Sequence, residues 1–399
     1  SLSMPGLSIN EHLKIASTWI ESHKLQLNNQ ETLTNKGSKI VIGYISADFR
    51  LHPLFYLIFD ILKLHDYKIF DIKLFYSGKD DGSSELIEFQ KLNADFININ
   101  EYSDADLRKK LSHENVDILV DLSGFTSQSR SLIFTQNPAK ISINWLGFPG
   151  SMGSLKTRPL HDIILADNYI IPKDQEQYYA EKIVRLSGCY QPNIAHRPPL
   201  KKVSREKNGI ESNAFVFASF GQSVKITEVI YKLWLKLLLQ KSNSVLWLLE
   251  SNQKAQENLH IIADEFGVES KRVIFAKKVS FADHIGRHSI IDLFLDTFPY
   301  NAHTSTSDAI WAECPVITLS GKTFASRVAG SILTELGCDE LITENENDYF
   351  NKALFLSNNP DALKRIKEKI IKGKSESNLF KPEKFVLELE GIYKTLLSS

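Results

Sequence analysis

The chain has 399 residues, which at roughly 100–200 residues per domain predicts two to four domains, two being the simplest choice. Apolar residues make up 43 % and charged residues 24 %, which excludes a wholly disordered chain, a collagen-like fibre and a membrane bundle. The formal net charge is −1, so no overall excess of positive charge is present to attract nucleic acid or anionic lipid.

Cysteine usage and hydropathy bear on the cellular compartment. The three cysteines, Cys189, Cys314 and Cys338, form no CxxC pair, so we expect no zinc framework, no disulfide scaffold and a reducing compartment. The first residues lack the basic and apolar regions of a signal peptide, and apolar runs such as Ser244–Leu249 are far below the ~18 residues that span a bilayer. We therefore expect a cytoplasmic protein without a membrane span.

The first half of the chain alternates strands with helices. Apolar residues at helical spacing predict a helix over 8–24, and the polar stretch 26–38 leads into the first strand. Short apolar runs predict strands at 39–46, 70–77, 96–100, 116–123, 141–147 and 162–171. Amphipathic patterns predict helices at 51–64, 84–92 and 104–114.

The second half repeats this alternation after a break. Three prolines and a basic run over 191–213 indicate a linker. The strands predicted beyond it lie at 215–220, 244–250, 272–276, 291–296 and 315–320. The helices predicted beyond it lie at 226–240, 253–266, 281–288, 304–312 and 325–336, and three more follow residue 348.

This pattern defines a fold class. Strands that are apolar throughout and separated by helices indicate parallel sheets covered on both faces. Two such halves predict two Rossmann-like α/β domains facing each other across a cleft, with ligands beyond the carboxyl ends of the strands. We predict a helix and linker over 1–38, a first domain over 39–203, a second domain over 204–381 and a C-terminal helix over 382–399.

Several common motifs are incomplete. Ser320-Gly-Lys-Thr323 resembles the end of a P-loop, but the first glycine of that motif is replaced by Val316, so a tight turn is the better explanation. No GxGxxG follows a strand, which disfavours a dehydrogenase. Asp104-Ala-Asp106 could bind a metal, but carboxylates at the start of a helix usually complement its dipole. We therefore predict no metal site.

Four clusters of polar residues are candidates for function. In the first, His52-Pro53 follows the opening strand, where an imidazole could accept a proton or bind an acceptor; a solvated turn histidine is the plainer alternative. In the second, Gln222 and Lys225 place an amide and an ammonium at a helix start, which suits a diphosphate, although a lone surface lysine is as common. Such a lysine could stabilise the charge of a departing diphosphate without a metal.

The other two clusters follow later strands. His284 and Arg287 are three residues apart, hence on one helix face, and could hold a base or ribose; alone they would be only a solvated face. A strand also leads into His303 and the hydroxyl run Thr304–Ser307, which exceeds what one N-cap requires and so predicts an anion site. Asp308 could take ribose hydroxyls. Together the clusters predict a nucleotide-diphosphate donor with a second substrate opposite.

These residues resemble the catalytic region of the O-linked N-acetylglucosamine transferase family, including its Spindly-type relatives, which has the two-Rossmann glycosyltransferase B fold. The resemblance covers about residues 39–395, and its motifs occur in the family's order. The matching stretches are Ile42–Phe49 with His52-Pro53, Asp117–Gly124 with Thr126, Trp145–Gly150, Gln222 with Lys225, Asn243–Leu249, His284 with Arg287, Leu295–Thr297, His303-Thr304, Asp308 and Ala325–Val328.

The resemblance implies inverting, metal-independent transfer of a sugar from a UDP-sugar to hydroxyl groups of a protein or peptide, with no cofactor. It makes the first domain the acceptor side and the second domain the nucleotide-sugar side. By position it assigns Lys225 with Gln222 to the leaving diphosphate, and His52 to the sugar and acceptor. The other residues it assigns are His303, Thr304 and Ser305 for the phosphates, Asp308 for the ribose, His284 with Arg287 for the uracil side, and Thr126, Leu146, Gly147, Pro149 and Gly150 for the sugar pocket.

Some positions depart from the family. Tyr56 stands where animal-type enzymes have a second histidine, Phe281 where they have a lysine, and Gly221 where asparagine is usual. The family also carries tetratricopeptide repeats ahead of the catalytic region, whereas residues 1–38 precede the first strand here. We predict N-acetylglucosamine as the sugar. The alternatives are UDP-glucose or GDP-fucose as donor, transfer to a small molecule or glycan, and a non-catalytic nucleotide-binding scaffold.

Overall fold

A computed structural model describes residues 1–23 and 37–398 of the chain, which form two compact units. The first unit comprises Ser8–Ala195 and Asn378–Ser399, and the second comprises Ser1–Leu7 and His196–Ser377. The chain thus enters the second unit at His196, whereas the sequence analysis sets the boundary at residue 204. Most of the predicted linker after the first helix, residues 24–36, lies outside the described residues.

The first unit begins with helix α1, Ile9–Ser22, whose N-cap Ser8 exchanges hydrogen bonds with Glu11 in a capping box. Strands and helices then alternate as the sequence predicts. Its remaining elements up to residue 195 are β1 (Ile40–Ser46), α2 (Phe55–Leu64), β2 (Phe70–Tyr76), α3 (Ser84–Gln90), β3 (Asp95–Asn98), α4 (Asp104–His113), β4 (Ile118–Asp121), β5 (Ile141–Asn144), the short strands β6 (Ser154–Leu155) and β7 (Arg158–Pro159), β8 (Ile163–Asp167) and β9 (Lys182–Leu186).

Within the described residues, the main sheet of this unit has seven parallel strands in the order β3-β2-β1-β4-β5-β8-β9. The short strands β6 and β7 were not predicted, and β8 ends at Asp167 rather than at residue 171. Helix α2 starts at Phe55 rather than at residue 51, since His52 precedes Pro53 and a residue before proline avoids the helical conformation. The edge strand β9 was not predicted, because it mixes charged residues with apolar ones and only its last residue is fully buried.

The second unit repeats the architecture. Its elements are β10 (Phe215–Ser219), α5 (Glu228–Gln240), β11 (Ser244–Leu249), α6 (Gln253–Glu265), β12 (Val273–Ala276), α7 (Phe281–Arg287), β13 (Leu293–Leu295), α8 (Thr304–Trp311), β14 (Val316–Leu319), α9 (Val328–Glu335), β15 (Ile342–Thr343), α10 (Glu346–Asn358) and α11 (Pro360–Glu376). In the described part of the chain its sheet has six parallel strands, ordered β12-β11-β10-β13-β14-β15. Both sheets therefore place their first strand centrally, which sets the ligand site at its carboxyl end.

The C-terminal helix α12, Pro382–Ser398, belongs to the first unit. A buried chain of hydrogen bonds ties it there: Glu390 contacts His65 Nδ1 at 2.9 Å, and His65 Nε2 contacts the Tyr44 hydroxyl at 2.8 Å. The Tyr44 hydroxyl also lies 3.0 Å from that of Tyr393. Each of these buried polar groups has a partner, which makes the attachment of α12 specific.

Candidate active site

His52 lies in the first unit, in the turn between β1 and α2. Its Nδ1 accepts a hydrogen bond from the Leu54 backbone N–H at 3.2 Å, and Asp48 Oδ2 is 3.8 Å from the same nitrogen. Burial lowers the pKa of His52, the charge of Asp48 raises it and that of Arg50 lowers it. The neutral ring therefore carries its proton on Nε2. Nearby Tyr56 donates a hydrogen bond to Glu85 at 3.1 Å.

The predicted sugar-pocket residues lie in two loops, after β4 and β5. Asp121, the last residue of β4, accepts hydrogen bonds from the N–H groups of Ser123 and Gly124, each at 2.9 Å, and shapes the loop that carries Thr126. The buried His161 contacts the other Asp121 oxygen at 3.1 Å. Thr126 is exposed, and its hydroxyl donates to the Ser123 carbonyl at 2.9 Å.

The loop after β5 fits against the loop after β4. A Cβ at Gly147 would lie 2.0 Å from the Leu122 carbonyl oxygen, so only glycine allows this approach. Leu146 has a positive φ of 75°. Asn144, the last residue of β5, donates to the Gly150 carbonyl at 2.9 Å, and Pro149 between them is buried. Backbone geometry therefore determines the shape of these two loops.

Lys225 lies in the second unit, in the 3-10 turn Ser223–Lys225 that follows β10. Its Nζ donates to the Asn301 carbonyl at 2.9 Å and lies 3.6 Å from the centre of the Tyr300 ring. Burial lowers the pKa of Lys225 to about 8, against the opposing charge of Asp296. The half-buried side chain is therefore a mostly protonated ammonium at neutral pH.

His303 and the hydroxyl run stand at the start of α8. His303 is the N-cap residue, and no side-chain hydrogen bond caps this helix among the described residues. Its Nε2 donates to the Ala325 carbonyl at 3.3 Å, and burial together with the charge of Lys225 holds the pKa of His303 well below its usual value. Thr304 and Ser305 are partly exposed, whereas Thr306 is buried and bonded to the Ala302 carbonyl. The first N–H groups of a helix lack intrahelical partners, so this end suits an anion.

His284 and Arg287 meet on one face of α7, as their spacing predicts. Arg287 Nε donates to His284 Nδ1 at 3.1 Å, and the guanidinium lies 4.8 Å from the Phe220 ring. Burial lowers the pKa of His284 to about 2, so the ring is neutral, with its proton on Nε2, 3.8 Å from Asp308 Oδ2. Asp308, in α8, therefore lies beside His284.

Asp308 is also engaged in an ion pair that the sequence did not reveal. The other Asp308 oxygen accepts from Arg197, whose side chain is fully buried. Burial raises the pKa of Asp308, and the charge of Arg197 opposes that effect. Arg197 belongs to the predicted linker, where a single arginine before two prolines gives no local signal of a role in a site.

Gln222 lines an open cavity of about 510 Å³ at the carboxyl ends of β10 and β11. The other lining residues are Gly221, Ser223, Val224, Leu249, Glu250, Ser251, Asn252 and Lys278. Gln222 and Lys225 thus belong to one turn, with Gln222 lining the cavity and Lys225 reaching the loop after β13. Lys278 follows β12, so three neighbouring strand ends meet at this cavity, as expected for a ligand site in an open sheet.

Three further residues of the second unit, Asp296, Tyr300 and Asn301, received no role in the sequence analysis. Asp296 follows β13 directly and accepts hydrogen bonds from the Thr297 N–H at 2.7 Å and the Thr318 hydroxyl at 2.6 Å. Burial raises its pKa to about 7. Its position directly after a buried strand was the signal available; the roles of Tyr300 and Asn301 depend on contacts with Lys225 that sequence spacing does not show.

The described residues offer neither a metal-binding cluster nor a membrane-spanning helix. Residues 1–23 and 37–398 contain no group of three or more histidine, cysteine or acidic side chains placed to hold a metal ion. None of the helices in these ranges is both long and apolar enough to cross a membrane.

The fold defines a structural class: it is the glycosyltransferase B fold, as the sequence predicts. The chain matches a mutant of the Thermobaculum terrenum O-GlcNAc transferase with a TM-score of 0.88 and 24 % sequence identity, over 99 % of this chain and 75 % of that one. The family model for glycosyl transferase family 41 matches residues 11–197 and 193–389. The chain belongs to glycosyl transferase family 41.

Curated relatives support the same family. The chain is 29 % identical over 362 residues to a protein of Arabidopsis thaliana named probable UDP-N-acetylglucosamine–peptide N-acetylglucosaminyltransferase SEC, covering 89 % of this chain and 37 % of that protein. It is 30 % identical over 372 residues to the SPINDLY protein of Oryza sativa subsp. japonica, which carries the same enzyme name, covering 90 % of this chain and 39 % of that protein. The chain thus spans less than half the length of these relatives.

Proposed function

We propose that this chain transfers a sugar, N-acetylglucosamine in the first instance, from a UDP-sugar to serine or threonine hydroxyls of a protein or peptide. One observation carries the proposal: the half-buried Lys225 ammonium donates to the Asn301 carbonyl, in the loop that leads into the uncapped N-terminus of α8. This pairing of positive charge with free N–H groups suits a diphosphate. The names of the relatives support the donor and the acceptor class.

The proposed reaction is a single displacement without a metal. The acceptor hydroxyl attacks the anomeric carbon from the side opposite the diphosphate, the bond from that carbon to the diphosphate oxygen breaks, and the configuration inverts. The proton of the hydroxyl passes to an oxygen of the departing diphosphate. Lys225 stabilises the negative charge that develops on the departing diphosphate, and the N–H groups and hydroxyls of Thr304 and Ser305 bind the phosphates. His303 sits at the same helix end. An ammonium supplies the charge that a divalent cation provides elsewhere, so we expect full activity in a chelator.

For the rest of the donor, the proposal follows the groups found together on α7 and α8. His284 and Arg287 stand against the uracil side and Asp308 against the ribose, where the His284 Nε2–H and the Asp308 carboxylate offer a donor and an acceptor. The pair between Asp308 and Arg197 fixes that carboxylate before the donor binds. Gln222 lies at the mouth of the neighbouring cavity.

For the acceptor side, the tautomer of His52 favours one of its two predicted roles. Because Nδ1 accepts from the Leu54 N–H, Nε2 is a donor and holds an oxygen of the sugar or the acceptor. If His52 instead accepted the proton of the acceptor hydroxyl, its ring would have to lose the hydrogen bond from the Leu54 N–H. The loops with Thr126 and Leu146–Gly150 then line the sugar pocket.

Calorimetric titration of UDP, GDP and ADP in EDTA tests the proposal. We expect UDP to bind and the other two to bind far more weakly, and a UDP-N-acetylglucosamine assay with peptides, read by mass spectrometry, to show transfer in EDTA. His303→Ala should weaken UDP binding, whereas His196→Ala, an exposed histidine of the same unit, should not. A preference for GDP would favour a fucosyl donor, and binding of none would favour a non-catalytic scaffold.

A further inference from the structure

We propose that Tyr300 is a positioning residue for Lys225: its aromatic face holds the ammonium in its charged form and aims it at the diphosphate. The inference rests on the proposed function, because Lys225 is the group that would stabilise the leaving diphosphate. It adds a residue to which neither the family resemblance nor the relatives give a role.

Three contacts carry the inference. The Lys225 Nζ lies 3.6 Å from the centre of the Tyr300 ring and 2.9 Å from the carbonyl oxygen of Asn301, the next residue along the chain. The same ring lies 5.1 Å, between ring centres, from His303 at the start of α8. Tyr300 therefore contacts two of the predicted phosphate ligands, which come from different loops of the second unit.

The chemistry of an ammonium explains what these contacts do. A lysine ammonium has three N–H bonds. The Asn301 carbonyl accepts from one of them, and the ring face covers another side with the negative part of its quadrupole. The remaining direction is left for an anion. The ammonium thus has little freedom to lose when a diphosphate binds, and this order is already present in the free protein.

The backbone that carries the ring is held by hydrogen bonds. The Thr297 hydroxyl donates to the Tyr300 carbonyl at 2.6 Å, and Asp296 fixes the start of the same loop through the Thr297 N–H. Close to Lys225 in the chain, the Thr227 hydroxyl donates to the Phe298 carbonyl at 3.0 Å. The segment that carries Lys225 and the loop that carries Tyr300 are therefore joined by a hydrogen bond.

Two other titratable groups affect the charge of Lys225. Asp296 favours the ammonium through its negative charge, and His303 is neutral because burial and Lys225 itself lower its pKa. Burial opposes the ammonium and is the largest cause of the low pKa of Lys225. The aromatic face is thus one of few contacts that favour the charged form, and its loss should be visible in the titration of Lys225.

The test compares Tyr300→Leu, which removes the face, with Tyr300→Phe, which keeps it. Lysine labelled with ¹³C at Cε, assigned with Lys225→Met, reports the Lys225 titration by NMR without donor or turnover. In Tyr300→Leu we expect the midpoint to move to lower pH by roughly half a unit to one and a half units, the range of a partly desolvated cation–π contact. Transfer should then fall more at pH 8 than at pH 6.5. Tyr300→Phe should keep most of the native midpoint.

Tyr102→Leu, an exposed tyrosine of the first unit, controls for the Tyr→Leu change, and thermal unfolding shows that each variant folds. An unchanged Lys225 midpoint in Tyr300→Leu would overturn the inference, as would an equal displacement in Tyr300→Phe. A displaced midpoint in a protein that transfers no sugar would support the positioning role while the proposed function fails. The experiment thus distinguishes failure of the positioning role of Tyr300 from failure of the proposed function.

Discussion

The two units place their candidate residues at the carboxyl ends of parallel strands, but they form these sites by different means. In the second unit, charged and titratable side chains that are buried or half-buried contact one another: Lys225 with Tyr300, His284 with Arg287, Asp308 with Arg197. In the first unit, the loops after β4 and β5 owe their shape to backbone geometry, with Gly147 against Leu122 and a positive φ at Leu146.

The difference indicates what each side must do. Buried charges cost free energy of folding unless they are paired. Their presence in the second unit is what binding of a charged diphosphate, as proposed, would require. Backbone loops with few ionised groups suit a neutral sugar and a hydroxyl acceptor, for which shape matters more than charge. Under the proposed function, removal of a charged side chain from the second unit should impair its action on the donor. Added side-chain volume in the loops of the first unit should impair sugar transfer.

The largest effect should come from breaking the Arg197–Asp308 pair. Arg197→Met leaves the Asp308 carboxylate buried without its cation, which should lower the free energy of unfolding by about 3–5 kcal/mol. Urea denaturation measures the loss. Lys201→Met removes an exposed pair with Asp283 from the same linker and should leave the midpoint unchanged. Equal stability of the two variants would show that the buried pair is not what stabilises this part of the unit.

The next effect concerns catalysis. Lys225→Ala should lower kcat by ~10²-fold or more, because one group that stabilises developing charge contributes about 3 kcal/mol to the transition state. UDP binding, which is shared with α8, should fall less. Steady-state kinetics and calorimetry on the same protein separate the two quantities. An unchanged kcat would exclude Lys225 from the chemical step.

A substitution in the first unit that adds volume and no charge tests the role of backbone shape there. Gly147→Ala places a Cβ against the Leu122 backbone, which should cost about 1–3 kcal/mol of stability, reduce sugar transfer and leave UDP affinity intact. Gly391→Ala in α12 meets no atom within 4 Å and should stabilise the protein by about 0.5–1 kcal/mol. A loss of UDP affinity in Gly147→Ala would contradict the assignment of UDP binding to the second unit alone.

Most of the fold was accessible from the sequence because both sheets are parallel and buried. Their strands are continuous apolar runs, such as Ile40–Ser46, that periodicity detects well. The edge strand Lys182–Leu186 escaped because water covers part of it and charged residues interrupt the run. The start of α2 was misplaced for a local reason, the His52-Pro53 step, which the sequence contained.

The residues of the candidate site also divide into those that the sequence predicted and those that it did not. Lys225, His303 and Asp308 were predicted because each follows a strand at a helix start or lies one turn into the helix, where anion sites form. Arg197 and Tyr300 were not predicted, since each makes its contact only when a distant segment folds against it. Local pattern therefore predicts which residues lie at the strand ends, whereas tertiary contacts decide which residues hold them.

The smallest expected effect is a pH dependence of UDP binding that belongs to the second unit alone. Lys225 has a pKa of about 8, Asp296 of about 7, and that of His303 lies well below its usual value. A bound diphosphate favours the protonated form of each, so binding takes up protons and the affinity must rise as pH falls. We expect roughly a three- to tenfold gain from about pH 9 to pH 7. Calorimetry in buffers of different ionisation enthalpy measures the proton uptake.

Asp296→Asn identifies the part of this slope that comes from the buried carboxyl. The amide can keep the hydrogen bonds from the Thr297 and Ala302 N–H groups and accommodate the Thr318 hydroxyl, because the hydroxyl can donate or accept. In this variant the contribution of Asp296 is lost, and the slope that remains belongs to Lys225 and lies at lower pH than in the native protein, because the Asp296 charge no longer favours the ammonium. An affinity that is flat or rises with pH in the native protein would mean that the buried charges of the second unit serve the fold rather than the donor.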